Sequence, residues 1–349
     1  MKDSILRKQK EYLAGMLNGK TLMISGGTGL IGSGIVRFLM DLNDHFHANV
    51  RMIVLYRNEE KKERIYSIPR QDLSFLIYDE KRGVCGDVPV DYIIHAAGIS
   101  GGSKMHLKDP VRIFTVGILG TKALLDYGVT HGCEKFCYVS TYEVYGAINS
   151  EDLIRENHPC VLDPMLLRNC YAEVKRTCES MLTAYAAAYS IKVYSGRLSS
   201  AFGAGVAYHD PRFFAEFSRC VLENKDIVLK TLGKTIRSYL DVDDAASAFL
   251  YILVNGENNN AYNLTNMSNT ISIRDMAYKI IQISKSNVQL KFDISDDRQS
   301  LGFRSEGCTL VDAGKLEALG WKPVYTIDET IEKMLISMEK DRKANLNSL

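Results

Sequence analysis

The chain has 349 residues, enough for one large domain or for two domains of ordinary size. Hydrophobic residues make up 46% and charged residues 24%, values that are typical of a folded globular protein. The chain has 43 basic and 42 acidic side chains. The resulting net charge of +1 gives no electrostatic reason to expect binding to nucleic acid or to an anionic membrane surface.

The cysteines and the hydropathy pattern narrow the class of protein further. Eight cysteines are scattered along the chain without a CxxC unit and without a histidine cluster, so we interpret them as reduced thiols and expect no metal site. No run of about 18 apolar residues occurs, so no segment is expected to span a membrane. Since the first residues also lack the apolar core of a signal peptide, we expect a cytoplasmic protein.

Taken in chain order, the first predicted element is an amphipathic helix within residues 1–20. Its apolar positions are Ile5, Leu6, Leu13, Met16 and Leu17. Strands are then predicted at 20–25, 50–56, 73–78, 92–97, 136–140 and 192–197. Helices are predicted between them at 30–40, 111–128 and 171–189. Strands that alternate with helices indicate an α/β protein with a parallel sheet covered on both faces.

Beyond residue 197 the alternation is less regular. Helices are predicted near 213–222, 245–254 and 327–339, with a strand at 238–242. The polar residues 255–260 are predicted to form a surface loop. This looser pattern indicates a second lobe assembled from non-contiguous pieces of the chain.

A glycine-rich turn, Gly26-Gly27-Thr28-Gly29-Leu30-Ile31-Gly32, stands between the first predicted strand and the helix after it. Glycines permit a tight turn and let the backbone approach a pyrophosphate at the helix N-terminus, where free amides attract anions. Glycine-rich turns also occur in ordinary loops, but the position between a strand and a helix favours dinucleotide binding.

The end of the second predicted strand bears on the choice of cofactor. NAD sites usually carry an acid there that bonds the adenosine ribose, whereas this strand ends Leu55-Tyr56-Arg57-Asn58. Arg57 can instead meet a ribose 2′-phosphate, which would indicate NADP, or it can be an ordinary solvated charge. The sequence therefore leaves NAD and NADP both open.

Two further motifs indicate redox chemistry. Tyr171 and Lys175 are four residues apart on a predicted helix, so the ammonium can lie beside the phenol and favour its ionised form as a general base. Thr141 or Ser140, at the end of an apolar strand, can hold the substrate oxygen whose proton Tyr171 exchanges. A YxxxK pair also arises by chance, but its position after the glycine turn and the Ser-Thr strand end favours catalysis.

Other charged residues are candidates for the same cleft. Glu143 lies two residues beyond Thr141 and is either a second acid or base or a solvated loop residue. Arginine suits phosphate through its fork of donors, although scattered arginines are usually surface charge. The arginines of interest in the second-lobe region are Arg212, Arg237 and Arg304.

Together these motifs resemble those of the extended short-chain dehydrogenases/reductases of the NAD-dependent epimerase/dehydratase family, which act on nucleotide sugars. The similarity extends from about Gly19 to Glu339. The segments most similar to 4,6-dehydratases and UDP-glucuronate decarboxylases are Ser140-Thr141-Tyr142-Glu143-Val144-Tyr145-Gly146, Val90-Asp91-Tyr92-Ile93-Ile94-His95-Ala96-Ala97-Gly98 and Asp210-Pro211-Arg212.

The resemblance implies a Rossmann-type, doubly wound parallel sheet with a smaller C-terminal substrate-binding lobe. The expected parts are an N-terminal helical extension at 1–19, a dinucleotide-binding domain at 20–202 plus 232–262, and a nucleotide-sugar-binding lobe at 203–231 plus 263–345. A homodimer is implied by the family alone.

The resemblance also implies roles for individual residues. The implied catalytic residues are Thr141 as the hydroxyl partner, Tyr171 as the base, Lys175 and Glu143. Lys175 is expected to bond the nicotinamide ribose and to lower the pKa of Tyr171. The cofactor-binding candidates are Gly26, Thr28, Gly29, Leu30, Ile31, Gly32, Arg57, Asp79 beside the adenine, Ala96, Ala97, Gly98 and Lys175. The substrate-binding candidates are Ser140, Tyr142, Arg212, Arg237 and Arg304, with Arg237 holding the diphosphate and Arg298 assisting.

Four positions depart from the family pattern. Tyr142 stands where dTDP-glucose dehydratases carry an acid and decarboxylases a serine, Gly117 stands where the helix usually has asparagine, Ser200 replaces an asparagine, and the second strand lacks its acid. We expect an enzyme that oxidises the sugar C4 hydroxyl with bound NAD or NADP and then epimerises, dehydrates or decarboxylates the 4-keto intermediate. The alternatives are an NADPH-dependent 4-ketoreductase and a non-catalytic dinucleotide sensor.

Overall fold

The computed structural model describes residues 2–79, 83–99, 109–146, 153–294 and 307–346. The strands, in chain order, are β1 (Thr21–Ser25), β2 (Arg51–Tyr56), β3 (Leu73–Asp79), β4 (Gly83–Cys85), β5 (Tyr92–His95), β6 (Lys135–Thr141), β7 (Lys192–Leu198), β8 (Ser200–Phe202), β9 (Ile227–Leu229), β10 (Ile236–Asp241), β11 (Asn260–Leu264), β12 (Asn266–Ser272), β13 (Leu290–Phe292) and β14 (Cys308–Thr309). The α-helices are Lys2–Leu17, Leu30–Phe46, Glu59–Ile65, Pro110–Phe114, Gly120–Thr130, Cys170–Ala188, Phe213–Leu222, Val242–Asn255, Ile273–Ser284, Gly314–Glu317 and Ile327–Leu346.

The large sheet has the strand order β11-β7-β6-β5-β1-β2-β3-β4. All its neighbouring strands run parallel except β3 and β4, which are antiparallel. The order reverses between β1 and β5, and ligands of such sheets bind in the crevice outside the carboxyl ends of the strands at this point. The expected Rossmann-type sheet is therefore confirmed.

Strand β1 shows why this sheet forms. All five of its residues are buried, as expected for a central strand that helices cover on both faces. Leu22 and Ile24 pack in one core cluster, which includes Leu39 of the helix Leu30–Phe46, while Met23 packs in a second cluster on the opposite face. The alternation follows from the two-residue period of a strand.

The helix Cys170–Ala188 is anchored in the second cluster by Val174, Cys178 and Leu182, which are all buried. These residues recur every four positions and so form one stripe along the helix. The stripe fixes the helix against the sheet and thereby sets the position of Tyr171 and Lys175.

A third cluster forms the core beside the sheet and includes Phe202, Phe214, Tyr239, Ile280 and Met334. Here β10 pairs with β12, β14 and β8 in a small sheet, and β13 pairs with β9. Most of these strands are two or three residues long and were not predicted, because a pattern of alternation needs a longer run. The domain boundaries expected from the sequence stay a prediction.

The N-terminal helix, Lys2–Leu17, buries Leu13 and Leu17 in the first cluster. The Gln9 amide donates a 2.8 Å hydrogen bond to the carbonyl of Lys322, which ties the helix to the C-terminal part of the chain. Met16, which was expected on the apolar face, is 46% exposed instead. Among the described residues, no helix has the length and hydropathy needed to cross a membrane.

Candidate functional site

The turn after β1 brings two backbone segments into close contact. Gly26 has a φ of +65°, and a Cβ at this position would lie 2.6 Å from the carbonyl carbon of Ala96. A Cβ at Gly32 would lie 2.3 Å from the carbonyl oxygen of Gly26. The helix Leu30–Phe46 begins after Gly29, which has no side chain to cap it. Its first amides are thus available to a phosphate group, as the sequence predicts.

A buried hydrogen-bond chain holds the neighbouring loop at the end of β5. The Oγ of Ser25 accepts from the amide of Ala97 at 3.2 Å and lies 2.6 Å from His95 Nδ1. The Nε2 of His95 lies 3.1 Å from the Oγ1 of Thr121. Burial lowers the pKa of His95 to about 3, so its ring is neutral near pH 7. Sequence reasoning did not single out this histidine, although it stands in the motif before Ala96.

The three residues expected to carry the first chemical step lie together. Thr141 ends β6, and its hydroxyl lies close enough to the phenol of Tyr171, in the first turn of the helix Cys170–Ala188, to influence the pKa of that phenol. Lys175 is 7% exposed, and its Nζ donates a 2.7 Å hydrogen bond to the carbonyl of Val139. This Nζ also lies 5.8 Å from the ring centroid of Tyr171.

The electrostatics of this trio differ from the expectation. The pKa of Tyr171 is raised, first because the phenol is buried and then because of the negative charge of Glu143. The nearby hydroxyl of Thr141 and the charge of Arg212 lower this pKa but have a weaker effect. Burial also lowers the pKa of Lys175 to about 8. The expectation that the pKa of Tyr171 is lowered is wrong for this structure, since spacing along a helix does not reveal burial.

The residues that follow Thr141 form a short 3-10 turn, Tyr142–Tyr145. The amide of Glu143 donates to the Oγ1 of Thr141 at 3.2 Å, which holds the turn against the strand end. Tyr142 is only 8% exposed. The pKa of Arg237 is raised chiefly by the phenol of Tyr142 and to a smaller extent by Glu143, while burial acts in the opposite direction. All three residues line the same cavity.

The other predicted site residues are distributed unevenly. Arg212 forms a bidentate pair with Asp210, at 2.9 and 2.6 Å, and its planar guanidinium also lies over Phe214. Asp79 ends β3 and is half-buried, but it does not line the large cavity that contains the glycine turn and Tyr171. Arg298 and Arg304 lie outside the described residues.

One large cavity, of about 1260 Å³, connects the glycine turn with Tyr171 and Glu143. The predicted site residues that line it are Gly26, Thr28, Gly29, Leu30, Ile31, Gly32, Arg57, Ala96, Ala97, Gly98, Ser140, Thr141, Tyr142, Glu143, Tyr171, Lys175, Arg212 and Arg237. Basic residues that sequence reasoning missed also line it, namely Arg37, Lys61, Arg64, Arg168 and Lys230. Of these, Lys61 and Arg64 could have been found from their helical spacing after Arg57.

The structure gives a physical reason for Gly117, one of the departures from the family pattern. Gly117 lies in a π-helical turn, Thr115–Leu119, that faces the helix Cys170–Ala188. A Cβ at this position would lie 2.2 Å from the Cγ1 of Val174. The carbonyl of Gly117 also accepts from Thr121 at 2.6 Å. A close approach of the two helices therefore excludes a side chain here.

The cavity residues fit a nicotinamide dinucleotide. The Oγ atoms of Ser140 and Ser199 are buried and have no hydrogen-bond partner within the described parts of the chain, and both residues line the cavity. Buried polar groups are normally paired, so these hydroxyls are suited to a bound molecule. The backbone contact at Gly26 and the uncapped helix after Gly29 provide the phosphate end of such a site.

Comparisons with known proteins agree with this geometry. The "dTDP-D-glucose 4,6-dehydratase" of Dictyostelium discoideum is 26% identical over 375 aligned positions, which cover 93% of this chain and 83% of the relative. The "UDP-glucuronic acid decarboxylase 2" of Arabidopsis thaliana is 24% identical, covering 91% of this chain and 68% of the relative. The crystal structure of UDP-glucuronic acid 4-epimerase from Bacillus cereus, with UDP-glucuronic acid and NAD, superposes with a TM-score of 0.76 at 19% identity and covers 92% of this chain and 99% of that one.

The sequence also matches a defined protein family over most of the sheet and the cavity. The match covers residues 22–265, which contain β2 to β11 and all of β1 except Thr21, and thus the glycine turn, Thr141, Tyr171 and Lys175. The chain belongs to the NAD dependent epimerase/dehydratase family, whose members are enzymes that use NAD.

Proposed function

We propose that the protein is a nucleotide-sugar enzyme that oxidises the sugar 4-hydroxyl and then transforms the resulting 4-keto sugar in the same cavity. The observation that carries this proposal is that Thr141, Tyr171 and Glu143 line one cavity together with the glycine turn. The relatives support it, because over nine-tenths of its length this chain is similar to a protein named dTDP-D-glucose 4,6-dehydratase and to one named UDP-glucuronic acid decarboxylase 2.

Bound NAD supplies a hydride acceptor and, at the end of the cycle, a hydride donor. The backbone of Gly26 and the amides after Gly29 would hold its pyrophosphate, and Lys175 would hold its nicotinamide ribose. Thr141 orients the sugar hydroxyl, and Tyr171 accepts the proton of that hydroxyl. Asp79 is retained as a proposed adenine contact only through the resemblance, since it does not line the cavity.

Glu143 is proposed to act in the second step. A ketone at C4 acidifies the proton on the adjacent C5, and a carboxylate that faces this carbon can remove it. Glu143 lies close enough to Tyr171 to influence its pKa, so the two groups serve neighbouring atoms of one sugar ring. Tyr142 stands where dTDP-glucose dehydratases carry an acid. Its phenol, rather than a carboxylate, would therefore exchange the proton with the substrate at this position.

The basic residues at the far end of the cavity are proposed to bind the diphosphate of the sugar nucleotide. Arg237 lines the same cavity as Glu143 and Tyr142, and so it can hold the diphosphate near the reacting ring. Arg212 is already held by Asp210, which fixes its guanidinium in the cavity wall. Arg304 remains a proposed substrate contact on the resemblance.

The direct test incubates the purified protein with UDP-, dTDP-, GDP- and CDP-sugars in deuterated water, without added cofactor, and follows the sugars by mass spectrometry. We expect one of them to lose water or carbon dioxide, or to gain deuterium at an otherwise unchanged formula. Activity that appears only when NADPH and a 4-keto sugar are supplied would favour the 4-ketoreductase instead.

A second test uses the variant Tyr171→Phe, which keeps the aromatic ring and removes the hydroxyl. We expect this variant to lose turnover by about 100-fold to 10,000-fold while it still binds the dinucleotide. A variant that turns over sugar as well as the parent protein would contradict the assigned base. A parent protein that binds dinucleotide but transforms no sugar in either assay would support the non-catalytic sensor.

A cytoplasmic homodimer is the proposed setting of this activity. All eight cysteines are free thiols, as expected in a reducing compartment. Val111, Phe114 and Leu119 are 74%, 41% and 53% exposed along one helical segment, which gives a dimer an apolar surface to bury. Light scattering of the purified protein tests the proposed mass of two chains.

A further inference from the structure

Three buried polar side chains, Ser25, His95 and Thr121, form a continuous hydrogen-bonded chain in the core. Ser25 Oγ lies 2.6 Å from His95 Nδ1, and His95 Nε2 lies 3.1 Å from Thr121 Oγ1. None of the three residues lines the cavity, so none is placed to touch a bound cofactor or sugar. We call Ser25, His95 and Thr121 the buried chain.

The available hydrogens fix the direction of every bond in the buried chain. The carbonyl of Gly117 only accepts, so its 2.6 Å contact with Thr121 Oγ1 uses the single hydroxyl hydrogen of Thr121. His95 Nε2 must therefore donate to Thr121, which leaves Nδ1 to accept from the hydroxyl of Ser25. The pKa of His95, which burial lowers, agrees with this assignment, because a neutral ring has one donor and one acceptor nitrogen.

One end of the buried chain supports the loop that contacts Lys175. The amide of Ala97 donates to Ser25 Oγ at 3.2 Å. The next residue is Gly98, where a Cβ would lie 3.6 Å from Lys175 Nζ. Because Ser25 holds the amide of Ala97, it also fixes the part of the loop against which the Lys175 ammonium lies.

The other end of the buried chain supports the helix that carries Lys175. Thr121 donates to the carbonyl of Gly117, which lies in the π-helical turn Thr115–Leu119. The same carbonyl accepts from Cys178 Sγ at 3.4 Å. Since Cys178 follows Lys175 by three residues, the two share one face of their helix. The buried chain thus connects both elements that set the position of the Lys175 ammonium.

We propose that His95 is a positioning residue for Lys175: with its hydrogen on Nε2, it holds the loop at Ala97 and Gly98 in a fixed position relative to the helix Cys170–Ala188. Groups at a binding site must be held to within about 0.5 Å, and packed, hydrogen-bonded supports provide that precision. The inference rests on the part of the proposed function that assigns Lys175 to the nicotinamide ribose.

The test measures the binding of NADH and of ADP by isothermal titration calorimetry, after removal of any dinucleotide that copurifies with the protein. Both probes contain the adenosine diphosphate, but only NADH contains the nicotinamide ribose. A displaced Lys175 should therefore weaken the binding of NADH and leave the binding of ADP nearly unchanged. A role of the buried chain in stability alone would not separate the two probes.

Variants of the buried chain locate the effect. Ser25→Ala and Thr121→Val should each weaken NADH binding by about 10-fold, as expected when a hydrogen bond to a charged group is impaired. The double variant should bind NADH about as weakly as either single variant, because each change interrupts the same chain. His95→Gln keeps a donor for Thr121 but lacks the acceptor at Nδ1, so it should behave like Ser25→Ala. It decides the question if another variant fails to fold.

Ser247→Ala is the matched control for Ser25→Ala. Ser247 is buried, accepts from Trp321 Nε1 at 2.9 Å and donates to the carbonyl of Asp244 at 2.9 Å, but it does not line the cavity. The control removes a hydroxyl that makes the same two kinds of hydrogen bond. We expect it to lower stability and to leave the affinity for NADH unchanged.

Thr330→Val is the matched control for Thr121→Val. Buried Thr330 donates to the carbonyl of Thr326, four residues earlier, just as Thr121 donates to that of Gly117. We expect the control to bind NADH like the parent protein. Thr121→Ser, which keeps the hydroxyl, should also retain the affinity of the parent protein.

Unchanged NADH affinity in Ser25→Ala and Thr121→Val, or an equal loss of affinity for NADH and ADP, would overturn the inference. Lys175→Met separates this failure from a failure of the proposed function. If Lys175→Met binds NADH like the parent protein, the assignment of Lys175 to the ribose is wrong and the inference falls with it. If Lys175→Met and the buried-chain variants all weaken NADH binding but no sugar is transformed, the inference stands and only the proposed function is contradicted.

Discussion

Replacing Gly117 by alanine should destabilise the protein through a single contact. The new Cβ would lie 2.2 Å from the Cγ1 of Val174, which is 2% exposed and sits on the helix that carries Tyr171. Valine in a helix has one strongly preferred rotamer, so it cannot easily turn away. Overpacking of this kind costs about 1–3 kcal/mol of the free energy of unfolding. The helix must shift, and a displacement of about 1 Å at the reacting groups can slow turnover about 100-fold.

A double-mutant cycle, measured by urea unfolding, separates this contact from other effects. Val174→Ala alone should cost about 2 kcal/mol for the methyl groups it removes. In the double variant the methyl group added by Gly117→Ala enters the space that Val174 leaves, so the two costs should fall short of additivity by about 1–3 kcal/mol. Gly15→Ala is the control, because its Cβ would meet nothing within 4 Å, and it should stabilise the helix by about 1 kcal/mol. Additive costs, or a neutral Gly117→Ala, would refute the packing argument.

Three further predictions concern charged and titrating groups. Glu143→Gln should slow deuterium uptake at the sugar carbon by about 100-fold or more, while the first oxidation stays detectable by cofactor absorbance. Deuterium uptake as fast as in the parent protein would exclude Glu143 as the base. Lys175→Met should abolish turnover yet stabilise the protein at pH 7 by about 1–3 kcal/mol in urea unfolding. The reason is that burial of the ammonium is costly, as the lowered pKa of Lys175, about 8, indicates. The control is Lys192→Met at the exposed end of β7, which should change stability little. His95 becomes protonated below about pH 6.5 in the unfolded chain but only near its pKa of about 3 in the folded chain. The free energy of unfolding should therefore fall by about 2 kcal/mol from pH 7.5 to pH 5. His95→Asn should remove this contribution of about 2 kcal/mol to the pH dependence.

The parts of the site that the sequence predicts are those set by local spacing. The glycine turn, the strand end at Thr141 and the helical pair Tyr171 and Lys175 each depend on a few consecutive residues, and the fold brings them together because the carboxyl ends of parallel strands share one edge. The alternation of strands and helices is equally local, which is why six strands of the large sheet were predicted. The three-residue β4 and β11, which follows a polar loop, were not predicted.

What could not be predicted depends on contacts between distant segments. The hydrogen bond of Ser25 with His95 joins residues 70 positions apart, and the clash that excludes a side chain at Gly117 involves a residue on another helix. Arg37 also reaches the cavity from the outer part of the helix Leu30–Phe46, where its guanidinium donates to the carbonyl of Ala204 at 3.1 Å. No spacing rule connects these pairs.

The raised pKa of Tyr171 bears on the order of cofactor binding and proton removal. Burial and Glu143 oppose ionisation of the phenol, and the positive groups near it are already engaged, Arg212 with Asp210 and Lys175 with the carbonyl of Val139. Additional positive charge is therefore needed before Tyr171 can act as a base near pH 7. An oxidised nicotinamide carries such a charge, and its ribose would compete with the Val139 carbonyl for the Lys175 ammonium. The phenol is thus expected to become a base only after the cofactor occupies the cavity, which ties proton removal to the presence of a hydride acceptor.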